Sequence, residues 1–227
     1  TIVADAHTSG YQVAIHALGD RAVEQTLNAI EFALAGQPNT PRHRIEHNAT
    51  VRPDMLPRYS EIGVVALIFG PYPCGVVNRS APEYQAWEWP WRDLLETNPD
   101  VHFAWHSDTP WVGPVAPLLH LYSMVTPYEV ATDGVTICDT PAWLTRKTLT
   151  VEEALPMMTI EGAYTLFRDE EVGSLEPGKF ADTIILSGDP TTVDPNALKD
   201  LKVWMTMVGG LVEWCAPGYE ALCPATR

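Results

Sequence analysis

Three side chains that can bind a metal each follow a short apolar run in this sequence. They are His16, His47 and Asp108. Imidazole nitrogens and carboxylate oxygens suit zinc and neighbouring divalent metals. The carboxyl ends of successive parallel strands converge on one face of an α/β barrel, which is where barrel enzymes carry out their chemistry. The pattern therefore predicts a metal-dependent hydrolase that acts on a small-molecule substrate.

The number of available ligands determines how many metal ions the chain could bind. A lone histidine after an apolar strand is more often a hydrogen-bonded structural residue, but two of them and an aspartate, spread over three strand ends, strengthen the case for a metal site. A catalytic zinc site needs about three protein ligands and a water molecule. His16, His47 and Asp108 reach that number. A second metal ion would need further ligands and a bridging group, which this chain does not obviously supply.

Composition limits the classes of partner. The chain has 227 residues, 46% of them hydrophobic, and a formal net charge of −15. This charge argues against nucleic acid, whose phosphates need lysine and arginine, and against anionic membrane surfaces. No apolar run approaches the roughly 20 residues of a membrane span. We therefore expect neither a nucleic-acid partner nor a membrane partner.

The elements that must position the ligands follow a strand–helix rhythm, which predicts an α/β fold. A domain over 1–170 should hold four strand–helix units, and a β-rich portion over 171–227 should follow it. Apolar runs predict barrel strands over 11–17, 64–69 and 101–107, and the repeat of the unit predicts another over 43–47. Helices are predicted over 21–35, 53–62, 90–97 and 115–125. Thr150 and Glu153 form a capping-box pattern at a further helix. Strands are expected over 181–186, 203–208 and 211–214, the last two joined at Gly209-Gly210.

A long segment over 70–91, rich in proline and aromatic residues, interrupts this rhythm. It is either a lid over the active-site face or a loop packed by its own aromatic rings. Trp87 and Trp89 are candidate substrate-binding residues, with helix packing as the alternative. His106 lies two positions before Asp108 and shares its face in a regular strand. It is a further candidate for the substrate pocket, and a supporting or core role is the alternative.

The cysteines are compatible with either an exported or a cytoplasmic protein. Cys215 and Cys223 flank a turn-rich loop and could close a small disulfide, which would fit an exported protein, or they could be free thiols in a cytoplasmic one. The chain begins without methionine or a signal peptide. We therefore interpret it as a piece of a longer polypeptide.

Four stretches together resemble the metal-dependent amidohydrolase superfamily. They are His16–Ala22, Arg44–His47, Ser107–Pro110 and Gly173–Asp182. The chain is similar to the C-terminal part of such proteins over nearly its whole length. The nearest resemblance is to the branch that contains N-substituted formamide deformylases and exoenzyme regulatory proteins.

This resemblance implies both a fold and an activity. The fold would be the second half of a (β/α)8 barrel, strands 5 to 8, followed by β-strands of a small β-sandwich. His16 and His47 would be metal ligands, and Asp108 would bind metal and accept the proton of the attacking water. One or two divalent ions, expected to be zinc, would activate water to hydrolyse a C–N bond in an amide, formamide or cyclic imide.

Two departures from the family pattern matter. The His-x-His pair of strand 1 and the lysine of strand 4 would both lie before Thr1. We therefore expect the chain to need the N-terminal half of the barrel, or a second copy of itself, to complete the site. The alternative is a non-catalytic regulatory or interaction protein built on an amidohydrolase scaffold.

Overall fold

The computed structural model describes residues 2–69, 74, 81–109, 115–144 and 148–223. Most of the segment 70–80 therefore lies outside the described residues. The prediction of a lid or a packed loop falls on these residues and also lies outside the described part. Among the described residues, no helix is both long enough and apolar enough to cross a membrane.

Four parallel strands form the central sheet, in the order β1-β2-β3-β4. Their bounds are Ala14–Ala17 for β1, Arg44–His47 for β2, Val65–Phe69 for β3 and Phe103–His106 for β4. All four predicted strands are present, each shorter than its apolar run. Every residue of β3 is buried, as expected for a parallel strand that is covered on both faces.

Helices connect these strands in the predicted order. They are α1 Ile2–Thr8, α2 Asp20–Leu34, α3 Arg58–Ile62, α4 Trp91–Thr97 and α5 Pro117–Val125. Helix α2 buries Val23, Leu27 and Ile30 completely, a helical spacing that directs one face to the core. Four strands with these helices make the α/β architecture of half a (β/α)8 barrel, as the sequence predicts.

Two local predictions need correction. The single helix expected over 53–62 is divided into a 3₁₀ turn, Pro53–Met55, and α3. Pro57 lies between the two and has no N–H, so a continuous helix would lose a hydrogen bond there. The sequence indicates no regular element over 132–145, but one strand of a hairpin lies there. Strand β5, Tyr128–Val130, pairs antiparallel with β6, Ile137–Asp139.

Helix α6, Val151–Met158, begins with the predicted capping box. The Glu153 backbone N–H donates to Thr150 Oγ1 at 3.3 Å, and the Thr150 N–H donates to the Glu153 carboxylate at 2.7 Å. The same carboxylate accepts two bonds from Arg92, at 2.6 and 2.7 Å, which ties α6 to α4. Helix α7, Ile160–Thr165, follows directly.

The C-terminal portion is a three-stranded antiparallel sheet. Its strands are β7 Thr183–Leu186, β8 Val203–Val208 and β9 Leu211–Cys215, with 3₁₀ turns at Pro195–Asp200 and Glu220–Leu222. Gly209 and Gly210 both have positive φ, as a two-residue hairpin turn requires. Leu198 is fully buried in the same core as the barrel helices, so this portion packs onto them. The domain boundary after residue 170 stays a prediction.

Two cysteine pairs lie at disulfide-bonding distance. Cys215 and Cys223, the pair considered from sequence, have Cα atoms 6.5 Å apart. Cys74 and Cys138 form a second pair with a Cα separation of 5.6 Å, inside the usual range for a disulfide. The second pair connects the segment after β3 to the β5–β6 hairpin.

Candidate metal centre

The carboxyl ends of β2 and β4 bring three potential metal ligands together. One ligand atom of each of His47, His106 and Asp108 lies within 4.8 Å of the others. Among the described residues, no other group of three or more histidine, cysteine or acidic side chains has this arrangement. The structure thus unites two of the predicted ligands, His47 and Asp108, with a histidine that the sequence suggested for the substrate pocket.

The third predicted ligand, His16, lies next to this group but outside it. Its ring centroid is 4.3 Å from that of His47, and the His47 ring is 4.6 Å from that of His106. His16 is exposed at the end of β1, whereas His47 is buried. The three imidazoles therefore form a row with His47 in the middle.

The backbone of His47 departs from regular strand geometry. His16 and Glu46 are register partners in the parallel sheet, so their side chains share a face. Strict alternation would place His47 on the opposite face, but its ring lies against that of His16. His47 has φ 79°, a left-handed conformation that is rare for residues other than glycine. This turn brings the His47 imidazole to the face that also carries His106.

A second left-handed residue sets the position of Asp108, which has φ 52°. Ser107 and Thr109 hold the turn on either side of it. The Ser107 hydroxyl donates to Thr109 Oγ1 at 2.8 Å and accepts the Thr109 N–H at 3.1 Å. Such backbone conformations cost roughly 1–3 kcal/mol each and persist only where the surroundings enforce them, which is a common property of functional sites.

Hydrogen bonding shows which imidazole nitrogens are free to bind a metal. His106 Nδ1 lies 3.2 Å from Asp108 Oδ1, and an ionised carboxylate only accepts, so this nitrogen carries the proton. His106 Nε2 then has a free lone pair. It is buried, and so is His47 Nδ1, without a hydrogen-bond partner among the described residues. Buried polar atoms nearly always have a partner, so two such nitrogens on neighbouring imidazoles fit a bound cation.

Burial also keeps both imidazoles neutral. Desolvation, followed by the neighbouring His106, lowers the pKa of His47 to about 4, although Asp108 opposes the shift. Desolvation likewise lowers the pKa of His106, against the opposing charge of Glu46. A histidine must be neutral to bind a metal. At neutral pH, both nitrogens are therefore ready to act as ligands.

Aromatic rings enclose the histidines on one side. The Phe69 ring centroid lies 5.5 Å from that of His47 and 5.4 Å from that of His106. Trp89, a predicted substrate-binding residue, is buried 6.2 Å from Phe69, one ring away from the histidines. Trp87, the other predicted substrate-binding residue, is half-buried, with its ring 5.6 Å from that of Tyr84.

Backbone pairing holds this aromatic segment in place. The Trp89 N–H donates to the Ala49 carbonyl at 2.7 Å, and the Val51 N–H donates to the Trp87 carbonyl at 2.9 Å. The chain after β2 and the tryptophan segment therefore lie side by side. The sequence did not predict this pairing, because no periodic pattern marks it.

Other acidic and histidine side chains have structural partners. Glu46 forms an ion pair with Arg44 at 2.7 Å, and Asp20 with Arg52 at 3.2 Å. His43 is fully buried; its Nδ1 accepts the Val13 N–H, and its Nε2 lies 3.0 Å from the His7 ring. These contacts give the three residues structural roles. Glu46 shares the sheet face of His16, its register partner.

The Amidohydrolase family pattern matches residues 1–212. The chain is 32% identical over 219 residues to the Protein LONG AFTER FAR-RED 3 of Arabidopsis thaliana, an alignment that covers 92% of this chain and 35% of that protein. It is 28% identical over 215 residues to the N-substituted formamide deformylase of Arthrobacter pascens, covering 90% and 37%.

A solved structure of a metal-dependent hydrolase from Pyrococcus horikoshii is also similar. It aligns with a TM-score of 0.67 and 28% identity over 86% of this chain and 37% of that chain. The chain therefore spans little more than a third of the length of these relatives.

Proposed function

The chain belongs to the amidohydrolase family, and from this premise we propose that it forms the metal-binding half of a hydrolase that cleaves a C–N bond. The proposed substrates are amides, N-substituted formamides and cyclic imides, in keeping with the name of the Arthrobacter pascens relative. The observation that carries the proposal is the convergence of His47, His106 and Asp108. Each of the two histidines has a buried ring nitrogen without a hydrogen-bond partner among the described residues.

The ligand types favour a divalent ion, and zinc is the proposed one. Two imidazoles and one carboxylate are a common set for catalytic zinc, which leaves a coordination position open for water. His47, His106 and Asp108 would hold the ion, and His16 lies close enough to His47 to contribute to a second one. Such an ion supplies Lewis acidity and lowers the pKa of water towards neutrality.

Asp108 is the proposed proton shuttle. Its carboxylate lies beside both imidazoles, with Oδ1 3.2 Å from His106 and Oδ2 3.8 Å from His47 Nδ1. It is about one-third exposed, so a substrate can reach it. The carboxylate would accept a proton from the attacking water and pass it to the leaving nitrogen.

We propose that the substrate lies against the aromatic rings. Phe69 and Trp89 form an apolar wall beside the histidines, which suits the acyl or N-substituent portion of a small amide. We keep His106, Trp89 and Trp87 as proposed substrate-side residues. Trp87 would act through the segment that holds Trp89 in place.

A partner would complete the site. Among the described residues, β1 and β4 each pair with a strand on one side only, so they form the two edges of the sheet. We propose that the N-terminal half of the barrel, or a second copy of this chain, covers them. A regulatory or interaction protein on the same scaffold remains the alternative function.

One preparation tests the function and the partner together. The chain is purified without chelator, its mass is measured by light scattering and its metal content by plasma mass spectrometry. Hydrolysis of N-substituted formamides is then followed before chelation, after chelation and after zinc is restored. We expect near-stoichiometric metal, an assembly larger than a monomer and chelator-sensitive hydrolysis. A folded chain that binds no divalent metal would contradict the proposal and favour the regulatory alternative.

The cysteine pairs suggest an oxidising compartment, and we propose that the protein is exported. Peptide mapping of unreduced protein by mass spectrometry should then recover Cys74 linked to Cys138 and Cys215 linked to Cys223. Reaction with a thiol reagent should label none of the four until a reductant is added. Four reactive thiols in freshly purified, unreduced protein would argue for a cytoplasmic protein instead.

A further inference from the structure

Asn48 joins the carboxyl ends of three strands immediately after His47. Its side chain is fully buried, and Nδ2 donates to the carbonyl oxygens of Ile45 and Leu67, both at 2.9 Å. Its backbone N–H lies 3.2 Å from the Ala17 carbonyl oxygen. One residue therefore connects β1, β2 and β3 at the end of the sheet that carries His16 and His47.

A tyrosine fixes the orientation of this amide. The hydroxyl of Tyr59, a fully buried residue of α3, donates to Asn48 Oδ1 at 2.6 Å. The amide nitrogen of asparagine only donates and its oxygen only accepts, so these three bonds allow a single orientation of the group. The side chain of Asn48 is thus held from both ends inside the core.

We propose that Asn48 is a positioning residue for the metal ligand His47, an inference that rests on the proposed function. His47 and Asn48 both have left-handed φ values, 79° and 52°. Asparagine tolerates this conformation better than most residues, and its two amide bonds hold the chain in it. Without them, the chain would relax towards a regular strand, and alternation would turn the His47 imidazole away from His106.

The decisive variant is Asn48→Asp, which keeps the shape of the side chain and removes both N–H donors. It also places a carboxylate oxygen against two carbonyl oxygens. We expect the zinc dissociation constant to rise about 10- to 100-fold, as is typical when a residue that holds a metal ligand in position is lost. The visible absorption spectrum of the Co²⁺-loaded protein should change as well, because the geometry of the His47 ligand changes. Tyr59→Phe should shift both readouts in the same direction, but less.

Asn98 provides a matched control. It is also fully buried, its Nδ2 donates to the Leu94 carbonyl at 2.9 Å, and its Oδ1 accepts from the Ser60 N–H and hydroxyl at 3.1 and 2.7 Å. It lies after α4 and before β4, so it precedes the strand whose far end carries His106. Asn98→Asp should lower the stability of the fold while leaving zinc affinity and the Co²⁺ spectrum unchanged.

The possible results separate this inference from the proposed function. If the wild-type chain binds neither Zn²⁺ nor Co²⁺, the proposed function fails and this inference fails with it. If the wild-type chain binds both, and folded Asn48→Asp and Tyr59→Phe bind them with unchanged affinity and spectrum, Asn48 is only structural and this inference alone is overturned. Should Asn48→Asp not fold, Tyr59→Phe decides.

Discussion

Replacing His47 by alanine is expected to abolish stoichiometric zinc binding, with a loss of affinity of about a hundredfold or more. His47 is central to the row of imidazoles, and its Nδ1 is buried without a hydrogen-bond partner among the described residues. Loss of a direct ligand should exceed the roughly 10- to 100-fold effect of losing a supporting residue. The measurement is zinc affinity by competition with a chromogenic chelator, together with circular dichroism to confirm folding.

Two further alanine variants show which histidines complete the site. His106→Ala should weaken zinc binding nearly as much as His47→Ala, because His106 belongs to the 4.8 Å group. His16→Ala should have a smaller effect, since His16 lies outside that group. The matched control is His102→Ala, at the opposite end of β4, where the imidazole pairs with Glu161 at 2.8 Å. If His16→Ala removes the metal and His106→Ala does not, the ligand set implied by the family resemblance is the correct one.

Asp108→Asn should lower the turnover number by about 10²- to 10⁴-fold, the usual contribution of a general acid–base residue. The amide has nearly the same shape as the carboxylate but cannot take up a proton. Rates for an N-substituted formamide should be compared at saturating zinc, with bound metal measured in the same samples. This comparison separates loss of the proton shuttle from loss of a ligand.

Asp54→Asn is the control for this experiment. Asp54 is largely exposed and forms an ion pair with Arg52 at 3.0 Å, in the loop after β2. It should keep the wild-type rate. An Asp108→Asn protein that holds its zinc and turns over at the wild-type rate would exclude Asp108 as the proton shuttle.

The strands of the barrel could be predicted because their sequence pattern is simple. Three of them, β1, β3 and β4, follow apolar runs without strict alternation, as expected of parallel strands that are covered on both faces. The fourth, which ends at His47, contains Arg44 and Glu46 and was predicted from the repeated strand–helix order. The family resemblance, which the comparison with known proteins confirms, identifies these runs as the second half of a barrel. The hairpin at β5 and β6 escaped prediction because its strands have only three residues each.

The arrangement of the ligands was harder to predict, because it depends on backbone conformations that histidine and aspartate rarely adopt. Regular alternation would separate His47 from His106, and only the left-handed turns at His47 and Asp108 bring the three side chains together. One signal was available in the sequence. Asn48 follows His47 directly, and asparagine is among the few residues that favour this region.

The proposed disulfide between Cys74 and Cys138 would have a consequence for proteolysis. It spans 64 residues of sequence, and β4 with His106 lies inside that span, whereas His47 lies outside it. A protease that cuts between Cys74 and β4 would place these two histidines on different fragments. The fragments would nevertheless stay covalently linked and would migrate apart on a gel only after reduction. An oxidised chain can therefore be nicked there without its two imidazole donors being able to diffuse away from each other.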